Sequence, residues 1–127
     1  MMKLVVLKST SVGQALQAGN TQRLIDLLSA KKVEYVSVDG SDKDQEPARN
    51  TLFKVSGVRG NYPQLFKVPV DQEMNNDTTE EKLVFVGSWD AIEQMNEAND
   101  IPEDILAQNP DIVTLAKCFE DVQRRTP

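Results

Sequence analysis

The sequence predicts an α/β protein: a four-stranded mixed sheet flanked by helices, with extra helices at the C-terminal end. Three observations carry that expectation. Short apolar runs at residues 4–7, 33–38, 63–68 and 83–86 have the length and β-branched content of strands. Apolar residues recur at helical spacing between the first two runs, between the second and third, and after the fourth. The third run opens on Pro63, and proline suits the first residue of a strand because it has no N–H to give to a ladder. At 127 residues the chain has the length of one domain, enough for a core without staples.

Leu4-Val5-Val6-Leu7 is apolar without interruption, which suits a strand covered on both faces. Residues 8–20 are polar, contain Gly13 and Gly19, and read as a loop or a weakly formed turn. Asn20 or Thr21 then caps a first helix, with Leu24, Ile25, Leu27 and Leu28 on one face. Lys31 and Lys32 close it at the negative end of the helix dipole. Val33, Tyr35, Val36 and Val38 form the second strand, and Asp39-Gly40 stops it. Pro47 fits the first turn of a second helix capped from Asp44 to Glu46. Leu52, Phe53 and Val55 are its apolar face, and Gly57 ends it. A strand–helix–strand unit implies parallel strands and a right-handed crossover.

Residues 56–61 form a loop with two glycines before the third strand. Residues 71–82 are acidic and amide-rich without periodicity, and read as an exposed hairpin loop. After the fourth strand, Gly87-Ser88-Trp89-Asp90 turns into a helix with Ser88 as N-cap and Ala91, Ile92 and Met95 on one face. Asn99-Asp100-Ile101-Pro102 restarts a short helix. Another starts at Pro110, with Ile112, Leu115, Cys118, Phe119 and Val122 at helical spacing. The first two strands are expected parallel, and the last two a hairpin antiparallel to them. The expected domain is a single one, with a core over 3–98 and a helical extension over 99–127.

Composition excludes several functions. A formal net charge of −6 argues against nucleic acid or a membrane surface as partner. The chain has no His, which removes the commonest general base and transition-metal ligand, so neither catalytic residues nor a metal site are expected. With one Cys, no intrachain disulfide can form. Cys118 lies three residues after Leu115 and four before Val122, which reads as a buried structural thiol. The carboxylate pairs Glu80-Glu81 and Glu103-Asp104 suit loops and first helical turns, where the dipole favours them. Residues 39–44 alternate oxygen-bearing side chains but lack the terminal Glu of a calcium loop. No apolar stretch is long enough to span a membrane, and the first run is too short for a signal peptide, so the expected location is cytoplasmic.

Asn61-Tyr62-Pro63-Gln64-Leu65-Phe66, set after a strand–helix–strand–helix order, resembles the thioredoxin fold in its glutaredoxin-like form. The resemblance covers roughly residues 3–98 and implies a cis-proline facing an active-site loop. In glutaredoxins that loop carries Cys-x-x-Cys or a single Cys. Here it reads Lys8-Ser9-Thr10-Ser11-Val12-Gly13-Gln14, with hydroxyls and no thiol, so thiol–disulfide exchange has no nucleophile there. The Ser/Thr cluster caps a helix or binds an anionic ligand.

The Ser-rich loop, the helix Thr21-Gln22-Arg23-Leu24-Ile25-Asp26-Leu27-Leu28, and Pro63-Gln64-Leu65-Phe66 together resemble the small Src-homology-3-binding glutamate-rich-like family. That family is glutaredoxin-like in fold, generally lacks redox activity, and is regarded as adaptors or regulators. This chain departs from it in three places. The proline-rich segment is reduced to Tyr62-Pro63, residues 71–82 are an insertion, and the tail from Asn99 is extra.

The resemblance also implies a ligand groove. In glutaredoxins the backbone before the cis-proline pairs with glutathione, and a Gly-Gly-x-Asp turn after the fourth strand holds its γ-glutamyl carboxylate. Gly87, Ser88 and Asp90 match that turn in part, with Ser88 for the second Gly. The candidate groove is therefore Ser9, Thr10, Ser11 and Val12, with Tyr62, Pro63 and Gln64, and with Ser88, Trp89 and Asp90. The plain alternative is a capped helix with Trp89 packed on the core. The function expected is a redox-inactive, cytoplasmic adaptor that binds a protein partner, needs no cofactor and has room for glutathione as a bound ligand. The alternative is a glutathione-dependent enzyme that orients the thiol with Ser9, Thr10 or Ser11. Its usual architecture needs an all-helical second domain, for which residues 99–127 are too few. A third reading is a subunit that docks through a sheet edge or the tail.

Overall fold

A computed structural model describes residues 1–11 and 15–125. The elements run β1 (Met2–Lys8), α1 (Ala15–Lys31), β2 (Tyr35–Asp39), α2 (Glu46–Ser56), β3 (Gln64–Pro69), β4 (Val84–Ser88), α3 (Trp89–Ala98), α4 (Glu103–Gln108) and α5 (Leu115–Cys118). Single 3-10 turns occupy Lys43–Gln45 and Glu80–Lys82. The strands form one mixed sheet in the order β2-β1-β3-β4. β1 pairs with β2 in parallel and with β3 antiparallel. β4 pairs antiparallel to β3, with a bulge at Leu65 and Phe66. β4 therefore runs in the direction of β1. Only β3 opposes the first two strands, which corrects the expectation that both strands of the hairpin would.

The unbroken apolar run of β1 follows from its place inside the sheet. Leu4 and Val6 face one layer with Leu24 and Leu28 of α1, Ile92 of α3, Leu65 and Leu115. Val5 and Leu7 face the other with Leu52 and Phe53 of α2, Phe66 and Val68. Each fully buried side chain of this kind contributes about 1.5–3 kcal/mol relative to exposure.

Several local expectations are corrected. α1 starts at Ala15, so residues 15–20 are helical and neither Asn20 nor Thr21 is its cap. The Thr21 hydroxyl instead donates back to the Gln17 carbonyl at 2.8 Å. Gly19 costs such a helix about 1 kcal/mol relative to Ala, and packing of the later turns outweighs it. The N-cap of α2 does fall within Asp44 to Glu46, at Gln45, but without a capping side-chain bond. Asp42 caps the preceding 3-10 turn by accepting the Asp44 N–H at 2.9 Å. Gly57 does end α2, in the left-handed region at φ 72°. Ala91 of α3 is exposed, and Ile92 alone of that helix is buried.

Residues 71–82 are more ordered in their contacts than a plain exposed hairpin loop. The Asn76 carboxamide accepts the Ala48 N–H at 3.1 Å and donates to the Asp44 carbonyl at 2.7 Å. Thr78 is buried; its hydroxyl accepts the Asn75 N–H and donates to the Glu73 carbonyl. Met74 packs against the α2 layer.

The tail also departs from a helix running on from Pro110. Helix is limited to Leu115–Cys118, capped by the Thr114 hydroxyl. The chain then returns to the sheet, where Val122 bridges Met2 and Arg124 bridges Val33. Leu115 and Val122 are buried in the same cluster as Leu4 and Leu24. Cys118 is half-buried and belongs to neither core cluster, contrary to the buried reading.

Candidate functional site

The bend that opens β3 is the cis peptide bond Tyr62–Pro63, and Pro63 is buried. Three contacts hold this bend. The Tyr62 main-chain N–H donates to Gln17 Oε1 on α1 at 3.2 Å. The Tyr62 ring tilts against Phe53 of α2 at 6.2 Å. Its hydroxyl lies over Gly40, where a Cβ would come within 2.7 Å of it. Burial pushes the Tyr62 phenol above its ordinary range, with the Arg49 cation opposing and the Asp39 carboxylate reinforcing the rise. Next along β3, the fully buried Gln64 donates through Nε2 to the carbonyls of Val58 at 3.0 Å and Asn61 at 2.8 Å. That side chain fixes the loop leading into the bend, and its own Oε1 has no hydrogen-bond partner among the described residues.

Beside this bend lies a cleft of about 160 Å³, lined by Leu16, Gln17, Asn20, Asn61, Tyr62, Ser88, Trp89 and Asp90. β4 and α3 place the last three. Ser88 sits at the N-cap position of α3, but its hydroxyl makes no cap bond; it accepts instead from Asn61 Nδ2 at 3.4 Å. Trp89 packs partly on the core and also lines the cleft. Asp90 is exposed in the first turn of α3, where the dipole favours a carboxylate.

The Ser/Thr loop after β1 meets other neighbours. Thr10 donates its N–H and hydroxyl to the Asp39 carboxylate at 3.2 and 2.7 Å. Ser41 donates its N–H and hydroxyl to the same carboxylate at 3.0 and 2.7 Å. Burial raises the Asp39 carboxyl, but these four donors outweigh it and hold the pKa at about 2. Ser9 Oγ accepts the Ser11 N–H at 3.3 Å. Ser9 and Ser11 line a separate, open cleft of about 430 Å³ with Gly40, Ser41 and Arg49.

The structure thus brings Tyr62, Ser88, Trp89 and Asp90 together at one cleft. Ser9 and Ser11 line a second, and Thr10 binds Asp39 beside it. The Tyr62 hydroxyl, over Gly40, lies between the two. Pro63 and Gln64 are buried supports behind the first. Val12 lies outside the described residues. Cys118 is on the tail, where the side chain of Lys67 donates to its carbonyl and pairs with Asp121 at 2.7 Å. Burial pushes its thiol up, with Lys67 opposing and Asp121 reinforcing the rise.

Leu16, Gln17, Asn20 and Asn61 were not among the residues expected at the site. A signal for Gln17 existed: it stands seven residues before Leu24 and eleven before Leu28, on the same helical stripe. Among the described residues no group of three or more His, Cys, Asp or Glu is arranged to hold a metal ion, and no helix is long and apolar enough to cross a membrane. No protein-family model, curated protein or solved structure matches the chain.

Proposed function

We propose that the protein is a redox-inactive, thioredoxin-like binding module of the cytoplasm, akin to the small Src-homology-3-binding glutamate-rich-like family, that grips an extended segment of a partner protein at the Tyr62–Trp89 cleft. One observation carries this reading: three carboxamides and a hydroxyl line a single cleft at the bend that opens β3, where Gln17 takes the Tyr62 main-chain N–H. Carboxamides both donate and accept, as a peptide main chain does, so such a lining matches an extended backbone rather than one fixed charge. The sheet order, with Pro63 just before β3, supports the thioredoxin-like relation. Absence of a thiol from the 8–14 loop supports the redox-inactive part.

Two assays test it. Purified protein should give no disulfide-reductase or deglutathionylation turnover; turnover surviving Cys118→Ser would overturn the redox-inactive reading. Selection from a phage-displayed random peptide library should enrich sequences whose binding is lost in Asp90→Arg, a change at an exposed cleft position. Enrichment indifferent to that variant would move the binding surface elsewhere.

Glutathione as ligand is the second reading, favoured by Asp90 in the first turn of α3 beside the Tyr62 backbone. An enzyme of that kind would use a serine-loop hydroxyl on the thiol. Thr10 gives its hydroxyl to Asp39, and Ser9 and Ser11 line the other cleft, which weighs against it.

A further inference from the structure

A third concavity lies at the opposite end of the sheet, between the end of α1 and the returning tail. Val33, Leu115, Phe119 and Val122 line it, Phe119 half-buried and the other three buried beneath, and its volume is about 370 Å³. That is within the roughly 300–1,000 Å³ of small-molecule sites. Lys31 and Arg124 stand on its rim. Arg124 is held in place by donating Nη1 to the Lys31 carbonyl at 3.1 Å. Neither cation is in any ion pair formed among the described residues, which join Arg49 to Glu46, Lys54 to Glu80 and Lys67 to Asp121. The Lys32 and Ser29 carbonyls at the end of α1 are taken up by the N–H groups of Arg125 and Lys32, so these acceptors do not compete for the cations. Among the described residues Glu120 is the one carboxylate lining the cleft, set against two cations. On a chain of net charge −6, this is a local excess of positive charge over an apolar lining.

We propose that this cleft binds a small amphipathic anion: a carboxylate with an aliphatic or arylalkyl body. The apolar body lies on Phe119, above the buried Leu115 and Val122. The carboxylate meets Lys31 and the guanidinium of Arg124, whose planar donors suit a carboxylate. α1 runs from the Tyr62 cleft to this one, and its 17 residues span about 25 Å. The proposal is therefore independent of what the Tyr62 cleft binds, and the two sites are separable by experiment.

The test is a titration of isotope-labelled full-length protein with sodium octanoate, and in parallel with 1-octanol, followed by amide chemical shifts. Octanoate should shift the amides of Val33, Ala116, Phe119, Val122 and Arg124 saturably. It should bind about tenfold tighter than octanol, the difference one charge-assisted contact makes. Lys31→Gln should weaken octanoate several-fold and leave octanol unchanged. Ala116→Leu, at an exposed lining position, should weaken both by filling the cleft. The proposal is overturned by absence of saturable shifts at these amides, by equal affinity for octanoate and octanol, or by Lys31→Gln weakening both alike.

Discussion

Gln17 and Tyr62 stand 45 residues apart in sequence, yet the Gln17 side-chain oxygen accepts the Tyr62 main-chain N–H at 3.2 Å. The bond ties the first turns of α1 to the bend that opens β3. It also occupies the donor that an extended ligand backbone would use in the proposed cleft. A ligand must displace Gln17 or bind around it. Gln17→Ala should lower stability by about 1 kcal/mol, the net value of a typical hydrogen bond. It should also speed hydrogen exchange at the Tyr62 amide and raise affinity for cleft-binding peptides. Gln17→Glu keeps the acceptor and should retain the protection. Unchanged exchange at Tyr62 in Gln17→Ala would show that the bond does not hold in solution.

Asn76 caps α2 from a distance. Its carboxamide takes the Ala48 N–H and gives a proton to the Asp44 carbonyl. Helix α2 has no side-chain cap of its own. Asn76→Ala should therefore cost about 1–2 kcal/mol, the usual range for a lost N-cap, read from the midpoint of urea unfolding. Asn76→Asp keeps the acceptor and should cost less than Asn76→Ala. Equal losses would place the stabilisation in the bond to Asp44.

Asp39 makes stability acid-sensitive. Its pKa is about 2 in the folded protein against an ordinary 3.8, because Thr10 and Ser41 donate four hydrogen bonds to the charged carboxylate. A depressed carboxylate pKa stabilises the fold fully above the unfolded value, and that contribution fades as pH falls from 3.8 to about 2. Wild-type protein should be more stable than Asp39→Asn at neutral pH, with the difference shrinking across that window. Denaturant unfolding at a series of pH values checks this, and a constant difference would contradict it.

Lys67 fastens the tail to β3. Its ammonium, largely buried, donates to the Cys118 carbonyl and pairs with Asp121 at 2.7 Å. Lys67→Met should loosen residues 118–125 and lower stability by about 1–2 kcal/mol, as expected for a lost charge-assisted bond. The Cys118 thiol should then react faster with a neutral thiol reagent, because burial, the largest cause of its raised pKa, is relieved and outweighs the lost Lys67 cation. An unchanged labelling rate would mean that the apolar contacts of Leu115 and Val122 alone hold the tail.

What was legible in the sequence is what local chemistry decides. Four short apolar runs became four strands, and the unbroken run of β1 correctly implied cover on both faces. Gly57 ended α2 because a left-handed residue is needed there. Tyr62, Ser88, Trp89 and Asp90 were singled out and do meet at one cleft. The failures are contacts made across the chain. The start of α1 is hard to read because Gly19 and Asn20 interrupt the helix formers Ala15, Leu16, Gln17 and Ala18, while Leu24 and Leu28 anchor it from the core. The order in residues 71–82 depends on Asn76 meeting Ala48 and Asp44, which no spacing in its own segment reveals. In the tail, Val122 has helical spacing from Leu115 and Cys118, yet it pairs with Met2 at the sheet. Only the resemblance joins the Ser/Thr loop to Tyr62, whereas Thr10 binds Asp39 at the end of β2.

The most direct measurement is an amide chemical-shift titration of isotope-labelled protein with a peptide enriched from the displayed library, in wild type and Gln17→Ala. Saturable shifts should cluster at Asn61, Tyr62, Ser88, Trp89 and Asp90, spare Ser9 and Thr10, and appear at lower concentration in Gln17→Ala. Absence of shifts at these amides in both proteins at millimolar peptide would contradict a peptide-binding cleft at Tyr62.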